Sequence, residues 1–231
     1  MNIGTGIIAG VSISYNHASV EQIEAASETS ERAAVETLLE SPGVSEAFVL
    51  QTCNRAEAYV VADNIDTARE ALDGYLVGVD TEAARDLDHE GSLRHLMRVA
   101  CGLESLVIGE DQIIGQVREA YEAARGAGAI GSTLDDAILK ALHVGERART
   151  ETAINEGVVS LGSAAVELAA TERDLEEATA LVVGAGKMAT LAARALDDAV
   201  ARVIVANRTL PHAEHIAAEL DTDTTAVGLA A

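Results

Sequence analysis

Lysine is almost missing from this chain, since Lys140 and Lys187 are the only two lysines among its 16 basic residues. Acidic residues number 38, and the formal net charge is -22 at pH 7. A surface rich in carboxylates stays hydrated where salt screens charge over a few ångströms, so the composition predicts a salt-adapted protein. The same charge repels nucleic acid, and any contact with RNA therefore has to come from a local cluster of arginines.

Cysteine is also scarce, and Cys53 and Cys101 lie far apart without the spacing of metal ligands. This excludes a disulfide framework and predicts no metal site. The chain lacks any run of about 18 uncharged apolar residues and has no basic segment followed by an apolar one near its start. We therefore expect a cytoplasmic protein without a membrane segment.

With 231 residues the chain is long enough for two modest domains. We predict an N-terminal α+β catalytic domain over residues 1–155 and an incomplete nucleotide-binding domain of Rossmann type over residues 156–231. In the first domain the patterns predict a strand over Thr5–Ser14, one long helix from Ser19 to Leu39, two strands around residues 47–62 and a helix near Thr67–Val77. From Glu90 onwards the pattern is almost wholly helical.

Thr52, Cys53, Asn54 and Arg55 form a polar turn between two apolar runs, which places Cys53 at the exposed end of a hairpin or a sheet edge. Arg55 is near enough to favour the thiolate, the reactive form of cysteine. A free cysteine is more often a small buried hydrophobe, and this alternative stays open from the turn alone.

A second informative segment runs from residue 95 to residue 118, where polar side chains interrupt an apolar sequence. Polar groups in such surroundings need partners, which are either helix caps and interhelical hydrogen bonds or a ligand. Gln112 and Gln116 share one helix face because they are four residues apart. The candidate site residues of this segment are His95, Ser105, Glu110, Asp111, Gln112 and Gln116.

The run from Ala180 to Ala189 predicts a buried strand that turns through glycines into a helix, as in a pyrophosphate-binding turn. A second β run, ending at Asn207, Arg208 and Thr209, supplies the βαβ context. Arg208 stands where an acidic residue would bind a ribose hydroxyl, which favours NADPH over NADH. The candidate cofactor-binding residues are Gly184, Ala185, Gly186, Lys187, Met188, Ala189, Asn207, Arg208 and Thr209.

The Thr52–Arg55 turn and the segment from residue 95 to 118 together resemble the glutamyl-tRNA reductase family, and the similarity extends through residues 143–154 and beyond. This resemblance implies reduction of glutamyl-tRNA to glutamate-1-semialdehyde, the first step of tetrapyrrole (porphyrin) biosynthesis, through a thioester on Cys53. It also implies a role for His95 in proton transfer or carbonyl polarisation. Thr52, Asn54, Arg55, Ser105, Glu110, Asp111, Gln112 and Gln116 would bind the substrate, with Arg55 gripping a carboxylate.

Relative to that family we expect a C-terminally truncated chain whose nucleotide-binding sheet has two or three strands. The full-length family member is expected to be a homodimer, which this chain would not form, and to pass its product to glutamate-1-semialdehyde aminotransferase. Two other functions remain open from the sequence. One is an NADP-dependent dehydrogenase of the shikimate dehydrogenase type, which would not need Cys53. The other is a catalytically silent module that binds aminoacyl-tRNA or a partner.

Overall fold

The computed structural model of this protein describes residues 6–27, 29–154 and 161–229. The chain divides between residues 154 and 155 into two compact units, here called unit 1 and unit 2. Two sequence predictions lie outside the described residues: the start of the first strand at Thr5 and the domain boundary at residue 155.

Unit 1 is built on a four-stranded antiparallel sheet with the strand order β2-β3-β1-β4. All eight residues of the central strand β3 are buried, so both faces of the sheet are covered there. The strands are β1 (Ile7–Ser14), β2 (Val44–Thr52), β3 (Arg55–Ala62) and β4 (Ala84–Leu87), and apolar and β-branched residues favour the first three of them. Strand β4 was not predicted, because its short Ala-Arg-Asp-Leu sequence carries no β-branched residue.

A short 3-10 helix (Thr81–Ala83) and six α-helices accompany this sheet in the described part of unit 1: α1 (Val20–Ala26), α2 (Glu31–Glu40), α3 (Ile65–Tyr75), α4 (His89–Ala100), α5 (Gln112–Gly126) and α6 (Ser132–Glu151). The prediction of one helix from Ser19 to Leu39 is wrong, because α1 ends at Ala26 and α2 begins at Glu31. Ser30 starts the second helix by accepting a hydrogen bond from the Ala33 N–H group at 3.4 Å. A serine at this position satisfies a helix N-terminus and so favours a new start.

Glu46 links the sheet to α6 from a buried position on β2. Its carboxylate accepts hydrogen bonds from the backbone N–H groups of Thr133 at 3.1 Å and Leu134 at 2.7 Å. These N–H groups belong to the first turn of α6, where a helix has no internal acceptors and favours negative charge. Glu46 therefore caps α6 from a strand more than eighty residues earlier in the sequence.

We expect Glu46→Ala to lower the free energy of unfolding of unit 1 by about 1–3 kcal/mol, because two buried donors lose their acceptor. All four tyrosines, Tyr15, Tyr59, Tyr75 and Tyr121, lie in unit 1, so tyrosine fluorescence during urea titration follows this unit. Glu40→Ala, at an exposed position at the end of α2, is the control. Equal unfolding midpoints for the two variants would contradict the capping role.

Unit 2 contains a three-stranded parallel sheet with the order β5-β6-β7. Its elements in the described residues are α7 (Leu161–Glu172), β5 (Thr179–Val183), α8 (Lys187–Leu196), β6 (Arg202–Asn207), α9 (Leu210–Ala217) and β7 (Asp223–Gly228). Helices α8 and α9 connect consecutive parallel strands, which is the βαβ arrangement. The sequence predicted a sheet of two or three strands, and the structure has a third strand, β7.

No helix within the described residues combines the length and the apolar character that crossing a membrane requires.

Candidate active site

Cys53 lies in the two-residue turn that joins β2 to β3, where Thr52 pairs with Arg55 across the hairpin. The Cys53 side chain is exposed. The Asn54 N–H group donates to Thr52 Oγ1 at 3.2 Å, and the Asn54 carbonyl accepts from the Tyr15 N–H group at 3.1 Å. These two hydrogen bonds fix the backbone of the turn next to Cys53, and the Cys53 thiol is open to solvent.

The other cysteine has the opposite environment. Cys101 follows the last residue of α4 and is buried, with 6% of its surface exposed. Burial raises the pKa of its thiol, and the nearby Arg149 and Arg98 only partly oppose this effect. Because the thiolate is the nucleophilic form, Cys53 is the better candidate nucleophile of the two.

The strand that follows the turn, β3, carries a buried polar network centred on Glu57, whose carboxylate is fully buried. Its Oε1 atom accepts hydrogen bonds from Arg55 Nη1 at 2.9 Å and from Ser12 Oγ at 3.1 Å, and it lies 2.9 Å from His95 Nε2. Its Oε2 atom accepts from the Tyr59 hydroxyl at 2.8 Å. Because a carboxylate only accepts, the His95 nitrogen that faces Glu57 is the protonated one.

Two opposing effects set the ionisation of Glu57. Burial by itself raises the pKa of a carboxyl group, but His95, the Arg55 guanidinium and the Tyr59 hydroxyl together outweigh burial and lower the pKa of Glu57 to about 2. The pKa of Tyr59 is raised well above its usual value, first by burial and then by the charge of Glu57. Glu57 is therefore the negative member of this network at neutral pH.

Arg55 is 1% exposed, and its guanidinium is directed into the interior. Besides Glu57 it donates to the backbone carbonyl of Glu104. From the sequence, Arg55 was expected to grip a substrate carboxylate and to favour the Cys53 thiolate. In the structure its observed partners are instead internal, because Glu57 on the same strand face supplies a buried counter-charge.

His95 lies in the middle of α4, which begins six residues earlier at His89, where Asp88 caps it. The His95 side chain lines a cavity of about 530 Å³. Arg85, Arg94 and Arg98 also line this cavity. Asp88, Glu90 and Glu104 line the cavity as well, and Glu90 and Glu104 pair with Arg94 and Arg98.

The loop between α4 and α5, residues 101–111, carries several of the candidate substrate-binding residues. Ser105 is buried at 4% exposure, and its hydroxyl has no hydrogen-bond partner among the described residues. Glu110 is also buried, whereas Asp111 is exposed. Gln112 and Gln116 follow on the first turns of α5 and are half-buried. The bond between Arg55 and the Glu104 carbonyl joins this loop to the Cys53 hairpin.

In unit 2 the predicted nucleotide turn lies at the carboxyl end of β5. Gly184 adopts a φ of 111°, which L side chains rarely adopt, and its N–H group donates to the Ala206 carbonyl at 2.7 Å. Gly186 immediately precedes α8, and a Cβ atom added there would meet nothing within 4 Å. The remaining members of the turn, Ala185, Lys187, Met188 and Ala189, complete the passage into α8.

The second predicted cofactor segment lies at the carboxyl end of β6, the strand next to β5. Asn207 ends β6 and its side-chain amide donates to the Thr209 carbonyl at 2.9 Å. Arg208 and Thr209 are exposed. Both segments therefore lie at the same edge of the sheet, where ligands of such folds bind. Open space at a helix N-terminus and an exposed guanidinium fit a phosphorylated dinucleotide.

Within the described ranges, no group of three or more His, Cys, Asp or Glu side chains is arranged to hold a metal ion.

Glu57 is the functional candidate that the sequence analysis missed. A charged residue inside the apolar strand β3, two positions from Arg55 and on the same face, was the available signal. Arg149 was missed as well. It contacts the loop of residues 101–111 from α6, and no local pattern connects these two segments.

The fold and the site define a two-unit α/β protein that joins an α+β unit with an exposed hairpin cysteine to a Rossmann-type unit. The family described as "Glutamyl-tRNAGlu reductase, N-terminal domain" matches residues 11–152, and "Shikimate / quinate 5-dehydrogenase" matches residues 167–230. The chain belongs to the glutamyl-tRNA reductase family. The predicted fold class and the family resemblance are thereby confirmed.

Individual relatives agree with this assignment. The chain is 66% identical to a glutamyl-tRNA reductase of Natronomonas pharaonis and covers 51% of it, with 99% of this chain aligned. It is 58% identical to that of Haloarcula marismortui and covers 50% of it, with 97% aligned. Both organisms are halophilic archaea, in agreement with the acidic composition. The chain thus spans about half the length of the curated relatives it matches.

A solved structure, glutamyl-tRNA reductase from Methanopyrus kandleri, is similar with a TM-score of 0.67 and 41% identity. The similarity covers 94% of this chain and 53% of that structure.

Proposed function

We propose that this chain carries out the acyl-transfer step of a glutamyl-tRNA reductase, in which the glutamyl group moves from tRNA to Cys53. Reduction of the resulting thioester gives glutamate-1-semialdehyde, the first intermediate of tetrapyrrole biosynthesis. The observation that carries the proposal is the exposed thiol of Cys53 in the turn of a hairpin whose second strand carries Arg55 and Glu57, with His95 bound to Glu57.

In the first step the Cys53 thiolate attacks the ester carbonyl of glutamyl-tRNA. A carbon–sulfur bond forms, the bond to the ribose oxygen breaks, and that oxygen takes up a proton as tRNA leaves. A thioester is a better hydride acceptor than the ester and stays fixed at the site. When bound, NADPH supplies the hydride, after which the carbon–sulfur bond breaks and the thiolate is restored.

In this proposal His95 is the residue that transfers protons to and from the reacting groups. Its Nε2 atom is bound to Glu57, so the ring orientation is fixed and Nδ1 remains for exchange with a reacting group. Arg55 holds Glu57 in its ionised form and ties the hairpin to the Glu104 carbonyl. Thr52 and Asn54 shape the turn around the nucleophile.

Recognition of the amino acid falls to the loop of residues 101–111 and the start of α5. The buried Ser105 hydroxyl has no internal partner among the described residues, so it is suited to hydrogen-bond a substrate group. Glu110, Asp111, Gln112 and Gln116 supply further acceptors and donors. Arg85 lines the cavity beside His95 and is suited to bind a phosphate of the RNA end, whereas Arg94 and Arg98 are paired with Glu90 and Glu104.

Unit 2 is the proposed site for NADPH. Gly184, Ala185 and Gly186 bring backbone N–H groups to the pyrophosphate, and Lys187, Met188 and Ala189 form the helix start behind them. Arg208, flanked by Asn207 and Thr209, would bind the phosphate that distinguishes NADPH from NADH. We further propose that the full-length protein is a cytoplasmic homodimer that passes its product to glutamate-1-semialdehyde aminotransferase.

Incubation with glutamyl-tRNA labelled in its glutamate is expected to place the label on Cys53. Cleavage after arginine separates Cys53, in the peptide of residues 33–55, from Cys101, in the peptide of residues 99–118. Acid quench preserves the thioester, and mass spectrometry of the two peptides locates it. Uncharged tRNA is the control. Binding of tRNA without any adduct would favour the silent binding module, and dehydrogenase activity without an adduct would favour the shikimate dehydrogenase type.

A further inference from the structure

Arg149, in the last turn of α6, makes an unusual set of contacts for an arginine of this chain. Its side chain is 11% exposed, and three of its four acceptors are backbone carbonyls. Nη1 donates to Ala100 at 2.8 Å and to Gly145 at 3.0 Å, and Nη2 donates to Glu110 at 2.8 Å. The fourth acceptor is Asp111 Oδ1, 3.2 Å from Nε.

These acceptors belong to three different segments. Ala100 is the last residue of α4, Glu110 and Asp111 end the loop before α5, and Gly145 belongs to α6 itself. One guanidinium therefore joins both ends of the loop of residues 101–111 to α6. The planar fork of arginine can reach several carbonyls at once, whereas the single nitrogen of a lysine cannot span them.

Close backbone contacts support the same attachment independently of Arg149. A Cβ atom on Gly109 would lie 2.0 Å from the Ile154 carbonyl oxygen, and one on Gly145 would lie 2.6 Å from the Ala100 oxygen. The Gly109 N–H group also donates to the Gly102 carbonyl at 3.0 Å, which closes the loop at its base. The end of α4 is therefore packed closely against α6, and Gly109 of the loop against Ile154, three residues after α6 ends.

We propose that Arg149 is a positioning residue for acyl transfer, which fixes the loop that presents Ser105, Glu110 and Asp111 to the substrate. The inference rests on the proposed function for its kinetic consequence, but the ordering of the loop is a structural claim of its own. Since acceptors on three segments are involved, loss of the guanidinium is expected to shift the loop. A displacement of about 1 Å in such a site costs roughly 100-fold in rate.

The kinetic test compares Arg149→Ala and Arg149→Lys with Arg147→Ala. Arg147 lies on the same helix, is more than half exposed and pairs with Glu151, so it is a matched control. At saturating glutamyl-tRNA, we expect the rate of acylation of Cys53 to fall about 100-fold in both Arg149 variants, with the Kd for uncharged tRNA unchanged. Arg147→Ala should keep the wild-type rate.

Hydrogen exchange provides a second measurement that does not depend on the chemistry. In Arg149→Ala the amides of residues 101–111 should exchange faster than in the wild type, while peptides from β1 to β3 keep their protection. Unchanged exchange in this loop would overturn the inference, even if no form of the protein accepted glutamate. Failure of the wild type to acquire a Cys53 adduct would instead contradict the proposed function.

Two further results would overturn the positioning role. One is a lower melting temperature for Arg149→Ala with a wild-type saturating rate, which would mean that Arg149 only stabilises the fold. The other is a wild-type rate in Arg149→Lys, which would mean that charge rather than the spread of donors is required.

Discussion

Replacement of Cys53 by serine is expected to lower the rate of glutamyl transfer from tRNA to the protein by about 10⁴-fold or more, since removal of an enzymatic nucleophile has effects of that order. A serine hydroxyl is a weaker nucleophile than a thiolate at neutral pH and lacks an activating base bonded to it here. Because the Cys53 side chain is exposed, the substitution leaves the packing of unit 1 intact. A rapid-quench experiment with labelled glutamate measures the transfer, and tyrosine fluorescence monitors the fold.

Cys101→Ala is the matched control for the thiol. Cys101 is buried at the end of α4 and its pKa is raised by burial, so its removal should leave the acyl-transfer rate unchanged. A small loss of stability, about 1 kcal/mol, is expected from the lost packing. Acylation of Cys53→Ser at the wild-type rate would assign the acyl acceptor to another group and refute the thioester on Cys53.

Glu57→Gln is expected to lower the free energy of unfolding of unit 1 by about 3–5 kcal/mol, the cost of removing one partner from a buried ion pair. Glutamine has nearly the same shape, but its amide nitrogen donates and cannot accept, so the side chain cannot serve all four donors that surround Glu57. The buried Arg55 guanidinium would lose its counter-charge. The His95 ring would also lose its carboxylate partner, so acyl transfer should fall by roughly 10- to 100-fold in the fraction that remains folded.

Glu36→Gln is the control for this substitution. Glu36 pairs with Arg32 on α2, where both side chains are more than half exposed, and such a pair contributes less than about 1 kcal/mol. Urea titration followed by tyrosine fluorescence compares the two variants. If Glu57→Gln unfolds at the same urea concentration as Glu36→Gln, the network around Glu57 does not stabilise unit 1.

The lowered pKa of Glu57 adds a pH dependence to this comparison. A carboxyl whose pKa falls from 4.5 in the unfolded chain to about 2 in the folded one stabilises the fold above pH 4.5. That stabilisation is lost as the pH decreases through about 2, when the folded carboxyl takes up its proton. The stability difference between wild type and Glu57→Gln should therefore shrink from pH 4.5 towards pH 2.

The locations of the hairpin and the nucleotide turn could be predicted from residues that are close together in the sequence. Apolar runs on both sides of Thr52–Arg55 predicted a strand, a turn and a second strand, and the turn indeed exposes Cys53. The glycines after Val183 predicted a strand-to-helix turn, and Gly184 has the positive φ that such a turn requires. Both signals are local, because strand alternation and backbone freedom depend on residues close together in the sequence.

Helix boundaries and short strands were predicted less well, because they depend on more than the local sequence pattern. The spacing of Val20, Ile23, Ala26 and Val35 fits one continuous helix, yet a serine cap starts α2 at Glu31 and separates it from α1. Strand β4 forms because it pairs with β1, and its own sequence has little preference for a strand. Tertiary pairing here overrides a weak local preference.

Composition indicated a salt-adapted protein, local pattern was enough to predict the fold class and the cysteine at the turn, and the family followed from the resemblance of the Thr52–Arg55 turn and residues 95–118. The residues around that cysteine were decided by the tertiary structure alone. Glu57 meets His95 across 38 residues, and Arg55 meets the Glu104 carbonyl across 49. Arg149 reaches Glu110 across 39 residues, and Glu46 reaches Leu134 across 88. Periodicity carries no information about such distant pairs, because it records which face a side chain occupies and not which segment packs against that face.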